Sequence, residues 1–120
     1  MKKIIIVVSI ILSLVTACKS QSCKDLPESF NSYTEAIDAI KDAQFKLTDK
    51  LPNGKSSWII KADYYSCDTK VGYMVYTTAK GREYIHEAVP KSVWLEFKNA
   101  TSSGSYYDYN IKHKYRLVPE

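Results

Sequence analysis

Residues 72–88 read GYMVYTTAKGREYIHEA, and this stretch decides the fold. Residues 72–78 are rich in aromatic and β-branched side chains, which favour β-strands. Residues 79–82, AKGR, predict a tight turn, because Gly81 is free to adopt a positive φ. Residues 83–88 then provide a further strand, so the stretch predicts an antiparallel pair.

The segment before this pair supplies more strands and one helix. Residues 58–65 alternate in a way that predicts a strand with one mainly apolar face. Residues 45–48 also alternate and suggest a short strand. Ser32 and Glu35 have the spacing of a capping box. Tyr33, Ile37 and Ile40 then recur at helical spacing, which predicts a helix over residues 33–43.

A second helix is expected after the strands. Pro90 suits the first turn of a helix, where its missing N–H costs nothing. Val93, Trp94 and Phe97 continue an apolar stripe, and residues 101–104 end it. The remainder, residues 105–116, is an aromatic tail. This order predicts an α+β fold. We expect a small antiparallel sheet of three to four strands, with one helix before it and a second helix after, both packed on one face.

The N-terminus has the pattern of an export signal. Lys2 and Lys3 precede an apolar run of about twelve residues, 4–15, which is shorter than the roughly twenty that span a bilayer. A positive start, a short apolar centre and small residues at the end are typical of a secretion signal. A buried N-terminal helix is the alternative.

Residues 14–18, LVTAC, resemble the cleavage motif of bacterial lipoproteins. The resemblance implies cleavage before Cys18, with lipid on its sulfur and an acyl chain on its new amino group. The chain would then divide into a signal peptide (1–17), a tether (18–31) and a single α+β domain (32–120). We expect it to be lipid-anchored to a bacterial membrane in the cell envelope, facing the periplasm or the cell exterior. A plain secretion signal, cleaved elsewhere, is the alternative.

The net charge and the cysteine content limit the classes of function that the chain can have. Loss of Lys2 and Lys3 leaves 15 of the 17 basic residues against 13 acidic ones, so the net charge falls from +4 to +2. Such a balance is not that of a protein built mainly to grip phosphate backbones. Two cysteines remain, Cys23 and Cys67. In an oxidising compartment they suggest one disulfide, although two unpaired thiols stay possible. No metal site and no cofactor is expected, because the cysteines and histidines lack paired ligand spacing.

A set of landmarks in the second half of the chain follows a known order. They are Ser56-Ser57, the strand pair joined at Gly81, Val89-Pro90, then Val93, Trp94 and Phe97, then Ala100, Ser103, Gly104 and Tyr106, and finally Asn110-Ile111-Lys112 and Tyr115. On these residues, region 56–116 resembles the KTSC domain family, named for the C-terminus of some lysyl-tRNA synthetases. The family has no settled activity, and RNA binding is a conjecture attached to it. The chain departs from the family in having His86 for the second tyrosine of Tyr-x-Tyr, and His113 where glycine is usual.

One cluster could form a binding face. Its members are Tyr106, Tyr107, Tyr109, Lys112, Lys114 and Arg116, with His86 nearby. Aromatic rings that stack and cations that contact phosphate are how single-stranded nucleic acid is held. The same tyrosines could instead fill a small core, and the cations could touch anionic lipid headgroups.

We therefore expect a non-catalytic envelope lipoprotein that presents a surface to a protein partner. The alternative is a domain that binds RNA or single-stranded DNA. Paired carboxylates, a Gly-rich phosphate loop and a Ser-His-Asp pattern are not evident in the sequence. A nucleophile pair of Cys67 and His86 would require a free thiol.

Overall fold

The computed structural model describes residues 21–119. The elements in chain order are a 3-10 turn (Cys23–Asp25), α1 (Tyr33–Asp42), β1 (Leu47–Lys50), β2 (Ile59–Ser66), β3 (Val71–Thr78), β4 (Glu83–Pro90), α2 (Lys91–Asn99) and α3 (Ser103–Asn110). The signal peptide predicted for residues 1–17 and the lipidation predicted at Cys18 lie outside the described residues. No helix within residues 21–119 is long and apolar enough to cross a bilayer.

The four strands form one antiparallel sheet in the order β1-β2-β3-β4. Each strand pairs with its neighbour in sequence, which short connections between consecutive strands favour. The β3–β4 connection turns at Gly81, whose φ is 86°. The α+β prediction, with a sheet of three to four strands, is confirmed.

Helix α1 covers the first face of this sheet. The Ser32 hydroxyl accepts a hydrogen bond from the Glu35 backbone N–H at 3.1 Å, as the capping-box spacing predicted. Below it, Ile37 and Ile40 pack with Val75 of β3 and with the buried core of β4. The apolar stripe of α1 therefore determines which way this helix faces.

Helices α2 and α3 cover the second face. Trp94 and Phe97 of α2 pack with Tyr64 and Met74 of the sheet, and the Trp94 ring stacks on the Tyr64 ring at 5.2 Å. Because side chains alternate along a strand, neighbours such as Met74 and Val75 enter opposite cores. Our expectation that both helices lie on one face was wrong for this reason: the central strand is apolar on both sides.

Residues 103–110 form a helix, which corrects the prediction of a tail without secondary structure. The Ser102 hydroxyl caps it by accepting the Ser105 N–H at 3.2 Å. The buried Ser103 hydroxyl donates to the Phe97 carbonyl at 2.7 Å, which joins α3 to α2. Gly104 lies so close to Trp58 that a Cβ would be 2.5 Å from the indole nitrogen. A small residue is therefore needed where α3 packs against Trp58, the residue before β2.

The predicted disulfide is present. Cys23 and Cys67 are bonded, with their Cα atoms 5.8 Å apart. The Cys23 N–H also donates to the Gln44 carbonyl at 3.0 Å, and Phe30 is buried against α1. The described part of the predicted tether is thus packed onto the domain, next to the β2–β3 turn.

Candidate functional site

His86 is the centre of a buried hydrogen-bond chain on the second face of the sheet. It lies on β4 and is only 1% exposed. Its Nδ1 is 2.9 Å from the Tyr115 carbonyl oxygen, and its Nε2 is 2.8 Å from the Tyr107 hydroxyl. The Tyr107 hydroxyl lies 2.6 Å from that of Tyr76. One chain of contacts therefore links β3, β4, α3 and the segment after α3.

The donors and acceptors along this hydrogen-bond chain follow from the Tyr115 carbonyl, which can only accept a hydrogen bond. His86 Nδ1 must therefore carry the proton, so in the neutral ring Nε2 accepts from the Tyr107 hydroxyl. The Tyr76 hydroxyl then donates to Tyr107. Burial lowers the pKa of His86, and the hydrogen bond to Tyr115 offsets this only in part. His86 is consequently held neutral, with both ring nitrogens engaged.

A basic cavity lies beside this chain, and we call it the basic cavity throughout. It encloses about 380 Å³. Its lining residues are His86, His113, Lys114, Tyr115, Arg116, Leu117 and Pro119. The backbone of this segment returns to the edge of β4, where the Glu87 N–H donates to the Arg116 carbonyl at 3.0 Å. His113 adopts φ 67°, a left-handed conformation that turns the chain between Lys112 and Lys114.

The structure divides the predicted binding face into four parts. Tyr107 and His86 lie in the core, so neither belongs to an exposed surface. The Tyr106 hydroxyl donates to Glu96 of α2 at 2.7 Å. Tyr109 is 78% exposed, and Lys112 is exposed near it in sequence. Lys114 and Arg116 line the basic cavity.

Helix geometry explains the separation of the three tyrosines. Neighbouring residues on a helix point about 100° apart, so Tyr106 and Tyr107 cannot share a direction. Tyr107 enters the core, where its ring lies 4.7 Å from that of Tyr76. The prediction that most of these tyrosines could fill a core therefore holds for Tyr107.

Several residues of the site were missed from the sequence. His113, Tyr115, Leu117 and Pro119 line the cavity, and Tyr115 contributes a backbone carbonyl that no sequence pattern marks. Asp49 of β1 was missed as well. Its carboxylate accepts from the Trp94 indole N–H at 2.8 Å and lies 3.0 Å from Lys98 Nζ. Contacts between distant segments leave no local signal.

The disulfide excludes the nucleophile pair of Cys67 and His86 that the sequence left open. Cys67 is bonded to Cys23, and His86 is buried with both nitrogens engaged, so these two residues do not form a nucleophile pair. Within residues 21–119, no group of three or more histidine, cysteine or acidic side chains could hold a metal ion.

Comparison with known proteins gives one match. The family model described as the KTSC domain matches residues 55–115, which is about half of the chain. Its limits differ from the region 56–116 recognised in the sequence by one residue at each end. No curated protein and no solved structure matches.

Proposed function

Because the chain belongs to the KTSC domain family, we propose that it is a lipid-anchored cell-envelope protein whose KTSC domain binds a partner without catalysis. The observation that carries the proposal is the commitment of His86 to the internal hydrogen-bond chain. His86, the best candidate for acid–base chemistry at the basic cavity, therefore has a structural role. The charged groups left to face a ligand there are those of Lys114 and Arg116.

The envelope location rests on the N-terminal pattern and is supported by the disulfide. Disulfides persist in exported proteins and are rare where thiols are kept reduced. Cys23 lies five positions after Cys18. A fully extended chain of that length reaches roughly 17 Å. A lipid on Cys18 would hold the domain close to the membrane surface.

The partner should present a carboxylate or another anionic group. Lys114 is exposed at the basic cavity, and Arg116 approaches Glu87 at 3.6 Å. More than half of the Arg116 side chain is exposed beside that contact. A partner's carboxylate could therefore compete for the Arg116 guanidinium. The basic cavity needs no cofactor for this role.

The anchor is tested by metabolic labelling with palmitate. We expect label on the wild-type chain and none on Cys18→Ser, with only the wild type recovered in the membrane fraction. Equal labelling of both chains, or a soluble and uncut precursor inside cells, would refute the lipoprotein assignment. Cys23→Ser is the control for label attached elsewhere.

Partner binding is tested by capture from envelope extract. We expect the double variant Lys114→Gln, Arg116→Gln to lose a protein that the wild type recovers. The matched control is Lys41→Gln, Lys80→Gln, which removes the same charge from exposed positions in α1 and the β3–β4 turn. Identical recovery by both double variants would eliminate the basic cavity as the binding site.

Nucleic-acid binding is the second candidate, and the exposure of Tyr109 favours it. An exposed ring, together with the exposed Lys112 that follows it in sequence, offers both stacking and phosphate contacts. Affinity for a labelled single-stranded oligonucleotide should then fall steeply between about 50 and 200 mM salt. A salt-sensitive affinity that Tyr109→Ala abolishes would favour this candidate over a protein partner.

A further inference from the structure

A second cavity, of about 270 Å³, lies on the α1 face of the sheet, and we call it the aromatic groove. Three half-buried rings line it: Phe45, Tyr65 and Tyr73. The Phe45 ring lies 5.4 Å from that of Tyr65 and 6.2 Å from that of Tyr73, nearly perpendicular to the latter. Tyr65 and Tyr73 are directly paired across β2 and β3. Three rings from three segments thus surround one space.

Two carboxylates line the aromatic groove, and one of them, that of Glu87, also lies 3.6 Å from Arg116 Nε outside the lining. The lining of the groove includes Asp68 and Glu87 and contains no lysine, arginine or histidine. Backbone N–H groups of Lys70 and Val71 donate to Asp68 Oδ1 at 2.7 and 3.0 Å. These bonds hold the pKa of Asp68 below its ordinary value, so the carboxylate is charged at neutral pH. Glu87 and Tyr73 line the same cavity, and burial, followed by the charge of Glu87, raises the pKa of Tyr73.

The backbone around the aromatic groove is irregular in a way that shapes it. Gly72 pairs with Val89 and Met74 with His86, so Tyr73 lies opposite two residues, Glu87 and Ala88. This is a β-bulge, and Ala88 adopts φ 56° although it is not glycine. Left-handed backbone at a non-glycine residue is strained and concentrates at functional sites. The bulge contains Glu87 and Ala88, and both residues line the aromatic groove.

Two further features show that the aromatic groove is a formed site. The Cys23–Cys67 disulfide forms part of its wall and fixes the β2–β3 turn. Tyr65 and Tyr73 are only half-buried, so part of each side chain is exposed at the groove.

We propose that the aromatic groove binds a small organic ammonium ion, such as a quaternary ammonium group. A cation over aromatic faces is attracted by the negative charge of the rings, and aromatic cages recognise quaternary ammonium in this way. Asp68 and Glu87 add charge complementarity. Pockets for drug-sized ligands enclose about 300–1,000 Å³, so a groove of this volume suits a smaller group. The site does not depend on the lipid anchor.

The first test is titration of the full-length chain, in a non-ionic detergent, with choline and with its uncharged isostere 3,3-dimethyl-1-butanol. We expect choline to shift the amide resonances of Gly72, Tyr73 and Ala88, and not that of Gly104 on the opposite face. The isostere should bind roughly tenfold more weakly, because it lacks the charge. Equal binding of the two probes would overturn the proposal, and so would a lack of choline binding together with a lack of capture by phosphatidylcholine vesicles.

Variants locate the site. Tyr73→Leu and Glu87→Gln should each weaken choline binding at least roughly threefold. Glu87→Gln is nearly isosteric, so it keeps the test valid if Tyr73→Leu fails to fold. Asp108→Asn, which removes a charge from the exposed side of α3, is the matched control. Unchanged affinity in Glu87→Gln and Tyr73→Leu would contradict the assignment.

A further arm distinguishes a free ligand from a membrane headgroup. Vesicles of phosphatidylcholine are compared with vesicles of phosphatidylglycerol, which carry no ammonium group. Capture by phosphatidylcholine alone, lost in Glu87→Gln, identifies a lipid headgroup as the source of the cation. Binding of soluble choline without vesicle capture identifies a free small molecule. Both results support the site, and failure of both probes rejects it.

Discussion

The Nε2 atom of His86 lies 2.8 Å from the hydroxyl oxygen of Tyr107, and this contact joins the edge of the sheet to α3. Because the Tyr115 carbonyl fixes the proton on Nδ1, the Tyr107 hydroxyl both donates to His86 and accepts from Tyr76. A single hydroxyl thus satisfies two buried polar groups. This explains how the core can hold a histidine at this position of β4.

Tyr107→Phe should strongly destabilise the domain, although it removes only one oxygen atom. Removal of one oxygen leaves the Nε2 of His86 and the Tyr76 hydroxyl without partners, and each unsatisfied group costs about 1–3 kcal/mol. We expect the free energy of unfolding to fall by about 3 kcal/mol in urea titrations. Tyr109→Phe, at an exposed position, is the control and should change it by less than about 0.5 kcal/mol. Equal losses in the two variants would contradict the hydrogen-bond chain.

His86 should make stability depend on pH. Its pKa in the folded chain is lowered by burial, whereas in the unfolded chain it is near 6.5. Between these two values the unfolded chain binds more protons, so the free energy of unfolding decreases as pH falls below about 6.5. Denaturant midpoints measured from pH 7.5 down to 5 should show this decline. It should be weaker in His86→Gln, which has no titrating ring, and retained in His113→Gln. A decline of the same size in His86→Gln would show that another group causes it.

The strands were predictable because their signal is local. In residues 72–88, β-branched and aromatic side chains and a glycine turn follow one another in the chain. Helix α3 lacked such a signal. Its residues, SGSYYDYN, are weak helix formers without an apolar stripe. The packing of Gly104 against Trp58, which is far away in sequence, and the hydrogen bond from Ser103 to Phe97 of α2 stabilise it.

The candidate sites were predictable only in part for the same reason. Lys114 and Arg116, named as candidates from the sequence, are exposed and line the basic cavity. The sequence could not show that Tyr107 enters the core while Tyr109 remains in solvent, since that distinction requires the helix. Nor could it reveal the aromatic groove, because Phe45, Tyr65 and Tyr73 meet only after β2 and β3 pair.

Asp49 should anchor α2 to β1. Burial alone would raise its pKa, but the hydrogen bonds from Trp94 and Lys98 outweigh it, so the pKa is lowered. Asp49→Ala should cost about 2 kcal/mol, and Asp49→Asn less, because the amide oxygen can still accept from the Trp94 indole. The measurement is urea unfolding followed by tryptophan fluorescence.

The charge of Asp49 also determines how the stability of the domain changes with pH. Its lowered folded pKa means that its stabilisation is present above about 3.9 and is lost as pH falls through the folded value. Asp49→Ala should therefore show a shallower loss of stability in acid than the wild type. Asp38→Asn, at an exposed position in α1, should keep the wild-type profile. A profile unchanged by Asp49→Ala would rule out this role.

The Cys23–Cys67 disulfide should be the strongest single crosslink on the α1 face. It joins residues separated by 44 positions, and chain-entropy reasoning gives about 4 kcal/mol for a loop of that length. The double variant Cys23→Ala, Cys67→Ala should lose most of that amount in denaturant titrations, while Cys18→Ala should lose little. Intact-mass analysis after alkylation without reductant provides the direct check. Alkylation of both Cys23 and Cys67 in the native chain would disprove the crosslink. Equal stability of the double variant and the wild type would disprove its energetic role.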